Sequence, residues 1–262
     1  MKERQGFSLV ELSIVLVVIG LIAGGVLSSK NLIRSAEVKS VTSQLTNYKR
    51  AVKIFQDKYK ARPGDMYNAT SVWTAANAVP ATCATTASTG AETCNGDGNG
   101  LVSGTATSHE NFRFWQHLVN AGLIEGKYAG ITVPGGELPG AYRNCLGGYN
   151  VPSGKISNSE FHIWNLGYLP APGGGWAYEG DYGHIFLFGQ KDPNGDIPEF
   201  EILTPKEAFS LDSKIDDGIP STGNMRTYKN FTNCVTTAVV ATAQYKLDYA
   251  SPACQAIFLS GF

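Results

Sequence analysis

The sequence predicts an α+β fold: a long N-terminal α-helix, membrane-spanning in its first half, packed on an antiparallel β-sheet head with long loops. Three observations predict it. Residues 7–29 form an apolar run of spanning length, and residues 38–59 carry one apolar stripe at helical period. Beyond residue 62, short apolar runs alternate with turns rich in glycine and proline. The chain has 262 residues, 43% of them hydrophobic and 16% charged, with a net charge of −1. About 200 residues follow the apolar segment, enough for one sizeable domain or two small ones. The near-neutral charge and the lack of any long basic run argue against nucleic-acid contact.

The helical element comes first. Residues 7–29 would span about 35 Å as a helix. Lys2 and Arg4 precede them, and Glu11 lies near their start. A carboxylate in a spanning helix costs about 2.5–3.5 kcal/mol at its centre and less towards its ends. A cleaved secretory signal would fit the basic end, with cleavage near Ala23-Gly24-Gly25, but Glu11 interrupts its core and the core is long. A plain anchor fits the length, yet Lys30 and Arg34 put as much positive charge on its far side as on its near side.

Gly6-Phe7-Ser8-Leu9-Val10-Glu11, after a short basic leader and before the apolar run, closely resembles the signal of type IV prepilins and pseudopilins. The resemblance covers about 25 residues closely and the following helix more loosely. It implies cleavage by prepilin peptidase after Gly6, methylation of the new N-terminal Phe7, and an assembly role for Glu11, the fifth residue of the mature chain. It also implies a pilin-like fold, a single-pass stay in the inner membrane, an inner-membrane assembly platform, and a homo-oligomeric or mixed filament. The filament would be an extracellular pilus or a periplasmic pseudopilus. Cleavage leaves a positive α-amine on Phe7, and a neighbouring subunit's Glu11 is its natural partner in a low-dielectric filament core. At an effective dielectric of ~20 and ~4 Å, that attraction is about 4 kcal/mol before desolvation of both groups.

Gly20 and Gly24 make a G-x-x-x-G spacing that lets helices approach closely, though glycine is common in membrane helices generally. The proline usual in the family shortly after the apolar run is replaced by Ser28-Ser29, and Gly24-Gly25 could weaken the helix in its stead. From Lys30 the pattern turns amphipathic. Val38, Val41, Leu45, Tyr48, Val52, Phe55 and Tyr59 alternate spacings of three and four, the stripe of a helix lying on a sheet or in a coiled coil. Arg62-Pro63-Gly64 stops it. The expected organisation is a leader at 1–6, a transmembrane and filament-core helix at 7–29, its amphipathic half at 30–62, and an extracytoplasmic head at 63–262.

In the head, residues 63–110 read as loop. A helix over 110–121 follows, with Ser108 as N-cap, Gly122 as stop, Phe114, Leu118 and Ala121 on its buried face and His117 at the surface. Strands are expected within 160–169, 183–189, 199–203 and, in part, 234–247. The apolar run 184–188, bounded by glycines, is the best central strand. A short helix over 205–211 and a terminal strand closing the sheet at 256–262 complete the list. Five cysteines and no CxxC pair favour disulfides in an oxidising compartment. Two bridges among five thiols can form in about fifteen ways, by choice of the odd thiol and pairing of the rest. Pairing sequence neighbours gives Cys83–Cys94 and Cys234–Cys254, with Cys145 a buried free thiol.

Candidate chemistry is sparse. Asn95, Asp97 and Asn99, separated by glycines, resemble the first half of an EF-hand-type loop and suggest calcium. Without a closing bidentate acid the site would be weak unless Glu110 or Glu92 joins it, and a polar turn explains the same letters. Asp192, Asn194 and Asp196 repeat the alternation, and Asp212, Asp216 and Asp217 form a third acidic patch. No metal-ligand histidine spacing, nucleophile elbow or phosphate-binding loop appears, so no catalytic residue is assigned and no cofactor is required. The expected function is a structural subunit of a type IV pilus or pilus-like filament. Its alternatives are a pseudopilin of a type II secretion system and, in another class, a membrane-anchored periplasmic enzyme or binding protein.

Overall fold

The computed structural model describes residues 8–79, 83–104, 109–133, 143–170, 176–228 and 232–262. Helix α1, Leu9–Tyr59, is continuous through Gly24 and Gly25 and runs about 75 Å. Its first half stands clear of the head, and its second half delivers the predicted stripe. Val38, Val41, Leu45, Tyr48, Val52 and Phe55 are all buried, and Tyr59 packs against the core at partial burial. The helix ends at Lys60, in the left-handed region at φ 55°, three residues before Pro63.

Helix α2, Glu110–Asn120, is wholly enclosed from Glu110 to Leu118 instead of burying one face. Its N-cap is His109, in the left-handed region and without a side-chain cap; Ser108 lies outside the described residues. Gly122, at φ 71°, turns the chain away after α2.

The main sheet has four strands, all antiparallel, in the order β1 (Ser159–Asn165), β4 (His184–Gln190), β6 (Ala256–Leu259), β5 (Met225–Arg226). Gly167, at φ 66°, separates β1 from β2 (Tyr168–Leu169), which pairs with β3 (Gly180–Asp181) in a small second sheet. The run predicted over 160–169 is therefore two strands. Residues 184–189 are buried on both faces, as a central strand requires.

Three expectations are corrected. Residues 199–203 form only the isolated bridges Gln190↔Phe200 and Leu203↔Cys254, because Pro198 and Pro205 bracket them and leave no room for a ladder. Residues 234–247 hold one bridge, Val235↔Tyr245, and bend through a 3₁₀ turn at Val240–Thr242. The C-terminal strand does not close the sheet either: β5 pairs outside it, so β6 is internal. Helix α3, Pro205–Ile215, starts with a capping box of Thr204 and Glu207.

Glu207 does more than cap. Arg34 of α1 donates from Nε to Glu207 Oε1 at 2.7 Å and from Nη2 to Oε2 at 2.9 Å, and Nη2 also reaches the Ile202 carbonyl. This bidentate pair fixes where α1 leaves the head. Tyr48 of α1 meets Trp115 of α2 edge-on at 5.1 Å and Phe161 of β1 at 5.3 Å, so one aromatic ring ties three elements together.

Candidate functional site

Helix α1 begins with a reciprocal cap. Val10 N donates to Ser8 Oγ, and Ser8 N donates to Glu11 Oε2 at 2.8 Å. Glu11 therefore satisfies an orphan backbone donor at the helix start, a local role that sequence reasoning missed although Ser8-x-x-Glu11 is a capping-box signature. Gly6 and Phe7, the expected cleavage and methylation positions, lie outside the described residues. Beyond the cap, Leu9, Leu12, Leu16, Ile19, Leu21 and Ile22 are all exposed. This part of α1 is long and apolar enough to cross a membrane. Gly20 and Gly24 sit on that exposed surface with nothing within 4 Å of a Cβ built on either, open to a close helix approach.

The head is held by two disulfides, Cys83–Cys94 and Cys234–Cys254, with Cα separations of 5.7 and 5.1 Å. The first staples the long loop after α1. The second ties the segment leading into β6 to the irregular segment at 234–245. Closing about 20 residues, it contributes on the order of 3 kcal/mol in the chain-entropy model. Cys145 is free and buried.

Of the three residues expected to hold calcium, only Asp97 enters a carboxylate cluster. Asn95 Oδ1 accepts from Thr70 N at 2.8 Å, and Asn99 Oδ1 accepts from Leu101 N at 2.7 Å, so both amides serve the backbone. Asp97 instead lies with Asp65 and Glu110, their carboxylate oxygens within 4.8 Å of one another. Glu92, the other acid considered, accepts from Ser88 Oγ. Asp65 carried no signal beyond its place just after the Arg62-Pro63-Gly64 stop. Burial and the two neighbouring carboxylates raise the pKa of Glu110 to about 7, burial first, despite backbone bonds from Asp97 and Ser103.

Asp192, Asp196 and Glu199 also cluster, as do Asp212, Asp216 and Asp217. Asp196 faces Arg143 at 3.5 Å. Asp212 accepts from Tyr245 Oη, Asp216 from Asn224 N and Met225 N, and Asp217 from Ile219 N and Thr222 Oγ1. These acids organise turns.

The expectation that His117 lies at the surface is wrong. It is fully buried, its Nδ1 accepting from Gly64 N at 3.0 Å and its Nε2 facing Thr93 Oγ1 at 3.0 Å. Helix α2 is enclosed on all sides, so its polar residues become internal fasteners. Arg113 is likewise buried and donates to the Cys83 and Thr86 carbonyls.

Cys145 Sγ lies 3.5 Å from His162 Nδ1, and Asn111 Nδ2 lies 3.5 Å from His162 Nε2, superficially a cysteine–histidine–asparagine arrangement. All three are buried. Burial raises the Cys145 thiol pKa well above its usual value and lowers that of His162 to about 3, so both groups are held neutral. Such a pair packs; it does not attack.

Burial also lowers the pKa of His117 to about 3. Because the unfolded imidazole takes up its proton near pH 6.5, the stability from keeping His117 and His162 neutral is complete above that pH. It is lost as the pH falls towards 3. Asp212, raised to about 7 chiefly by burial, works in the opposite sense between its ordinary pKa of 3.8 and 7, as does Glu110. Burial also lowers the pKa of His184 to about 4 and that of His109, adding to the loss. The urea midpoint is therefore expected to drop most steeply below about pH 4, where the raised carboxyls no longer offset it; a midpoint unchanged at pH 3.5 would contradict buried neutral imidazoles.

Residues 1–27 match the family model described as the prokaryotic N-terminal methylation motif, the type IV pilin and pseudopilin signal. No curated protein and no solved structure matches the chain.

Proposed function

We propose that this protein is a structural subunit of a type IV pilus or pilus-like filament, cut after Gly6 by prepilin peptidase and methylated on Phe7. Its apolar half-helix holds it in the inner membrane as a single-pass protein until an assembly platform extracts it. The same surface then packs against the helices of other subunits in a homo-oligomeric or mixed filament outside the cytoplasm.

The observation that carries this reading is the exposed half of α1. It offers a predominantly apolar surface from Leu9 to Ile22, with its acid near the start, five residues from the expected cleavage point. A lipid bilayer covers such a surface before assembly and neighbouring helices cover it afterwards. Among the described residues of the head, the Cys145–His162 contact is buried and neutral. That supports a structural role.

Mass spectrometry of the purified mature protein tests the proposal. The expected N-terminus is Phe7, carrying one methyl group. An intact Met1, or cleavage near Gly25, would refute it and favour a membrane-anchored or secreted periplasmic protein.

A further inference from the structure

We propose that Asp65, Asp97 and Glu110 form a calcium site that pins the loop around residues 95–104 to the start of α2 and to the chain leaving α1. The three carboxylates come from segments separated in sequence, and their oxygens lie within 4.8 Å of one another. Oxygens that share one calcium ion with 2.3–2.6 Å bonds lie no more than about 5.2 Å apart, a limit that every pair in the cluster meets. Magnesium dehydrates reluctantly and is rarely held by a cage of three protein carboxylates, which favours calcium. The donors are all oxygens, with no sulfur or imidazole, as a hard cation prefers.

A second observation points to a missing ligand. Asp65 is 5% exposed, and its Oδ1 is buried with no hydrogen-bond partner among the described residues. Its other oxygen, Oδ2, accepts from Gly100 N at 3.0 Å. A buried carboxylate oxygen left without donor or cation is costly, and a cation shared with two neighbouring acids removes that cost. None of the three acids forms an ion pair among the described residues. Arg62 and Lys60 line the cleft beside Asp65 without pairing to it.

Backbone donors already aim the other two carboxylates. Glu110 Oε1 accepts from Asp97 N at 3.0 Å and Oε2 from Ser103 N at 3.1 Å, while Asp97 Oδ1 accepts from Asn99 N at 2.9 Å. Glu110 Oε2 also accepts from Ser103 Oγ at 3.2 Å, whereas Glu110 Oε1 and Asp97 Oδ1 each keep a second lone pair for the ion. Asp97 is exposed and Glu110 is fully buried, so the site has a solvent-facing side through which a cation can enter.

The inference does not depend on the assembly reading. Its test is calorimetric titration of calcium chloride into the chelator-treated full chain in detergent, compared with Asp97→Asn. The wild type is expected to bind one calcium per chain, in the sub-millimolar to millimolar range of extracellular sites, and to melt at a higher temperature in its presence. Because Asp97 is exposed, the variant should fold, and its affinity should be at least about tenfold weaker for the loss of a charged ligand. No saturable binding up to about 10 mM, equal affinity in the variant, or a preference for magnesium would each overturn the proposal.

Discussion

Replacing Glu11 by glutamine is expected to leave cleavage after Gly6 and methylation of Phe7 intact while lowering filament yield at least tenfold. Glutamine is the informative choice because it separates the observed cap from the proposed assembly role of Glu11. Its Oε2 accepts from Ser8 N in the capping box, and an amide oxygen can accept the same bond. What glutamine cannot supply is the negative charge that would meet the Phe7 ammonium of a neighbouring subunit. The attraction of about 4 kcal/mol at an effective dielectric of ~20 is offset by desolvation of both groups. A net surplus of only about 1.4 kcal/mol per subunit contact is still a factor of ten in the equilibrium for adding that subunit. Glu11→Ala removes both cap and charge and is expected to be at least as defective. Sheared surface material, quantified by immunoblot and viewed by electron microscopy, reads the outcome. Wild-type yield from the glutamine variant would assign Glu11 to the helix cap alone.

The parts of the molecule legible in the sequence are those whose physics is local. Spacings of three and four place Val38 to Tyr59 on one face because a helix has 3.6 residues per turn, and those residues are buried where the stripe puts them. The run at 184–188 reads as a central strand because apolar residues on both faces of a strand need cover on both sides. Where the reading fails, the deciding contacts are long-range. His117 sits in the C-terminal half of a helix whose apolar letters mark a single face, yet chain segments from Gly64 and Thr93 close over its polar side and bond to it. Asp65 looks like part of a turn until the 95–104 loop and Glu110 fold against it. Strand β5 has only two residues, too few to show an alternation, and it exists because β6 offers an edge to pair with. The cap at Glu11 was hidden for a different reason: the capping box and the signal-like motif share the same letters.

Phe186→Ala is expected to cost the head about 3–5 kcal/mol, the range for deleting a fully buried aromatic ring. Phe186 has no exposed surface and lies on central strand β4, opposite Ile163 of β1 and Phe258 of β6. Its ring centroid lies 6.0 Å from both Phe114 and Trp115 of α2, 6.4 Å from Tyr48 of α1 and 6.2 Å from Phe262 at the chain end. The cavity left by alanine would thus be walled by two helices, the sheet and the C-terminal tail. Collapse into it is restricted, because Arg34 and Glu207 hold α1 in place and the Cys234–Cys254 bridge anchors the segment leading into β6. A walled cavity that cannot relax puts the loss at the upper end of the range. For a head of this size, each kcal/mol lowers the melting temperature by about 2–4 °C, so a fall of about 6–20 °C is expected. Phe186→Leu keeps most of the volume and should cost less than half as much. Both variants leave the N-terminal signal untouched, so cleavage and methylation should proceed while urea unfolding of the purified chain shifts to lower midpoints. A loss below about 1 kcal/mol for alanine would mean that Phe186 is not the contact through which α1, α2 and the sheet share one core.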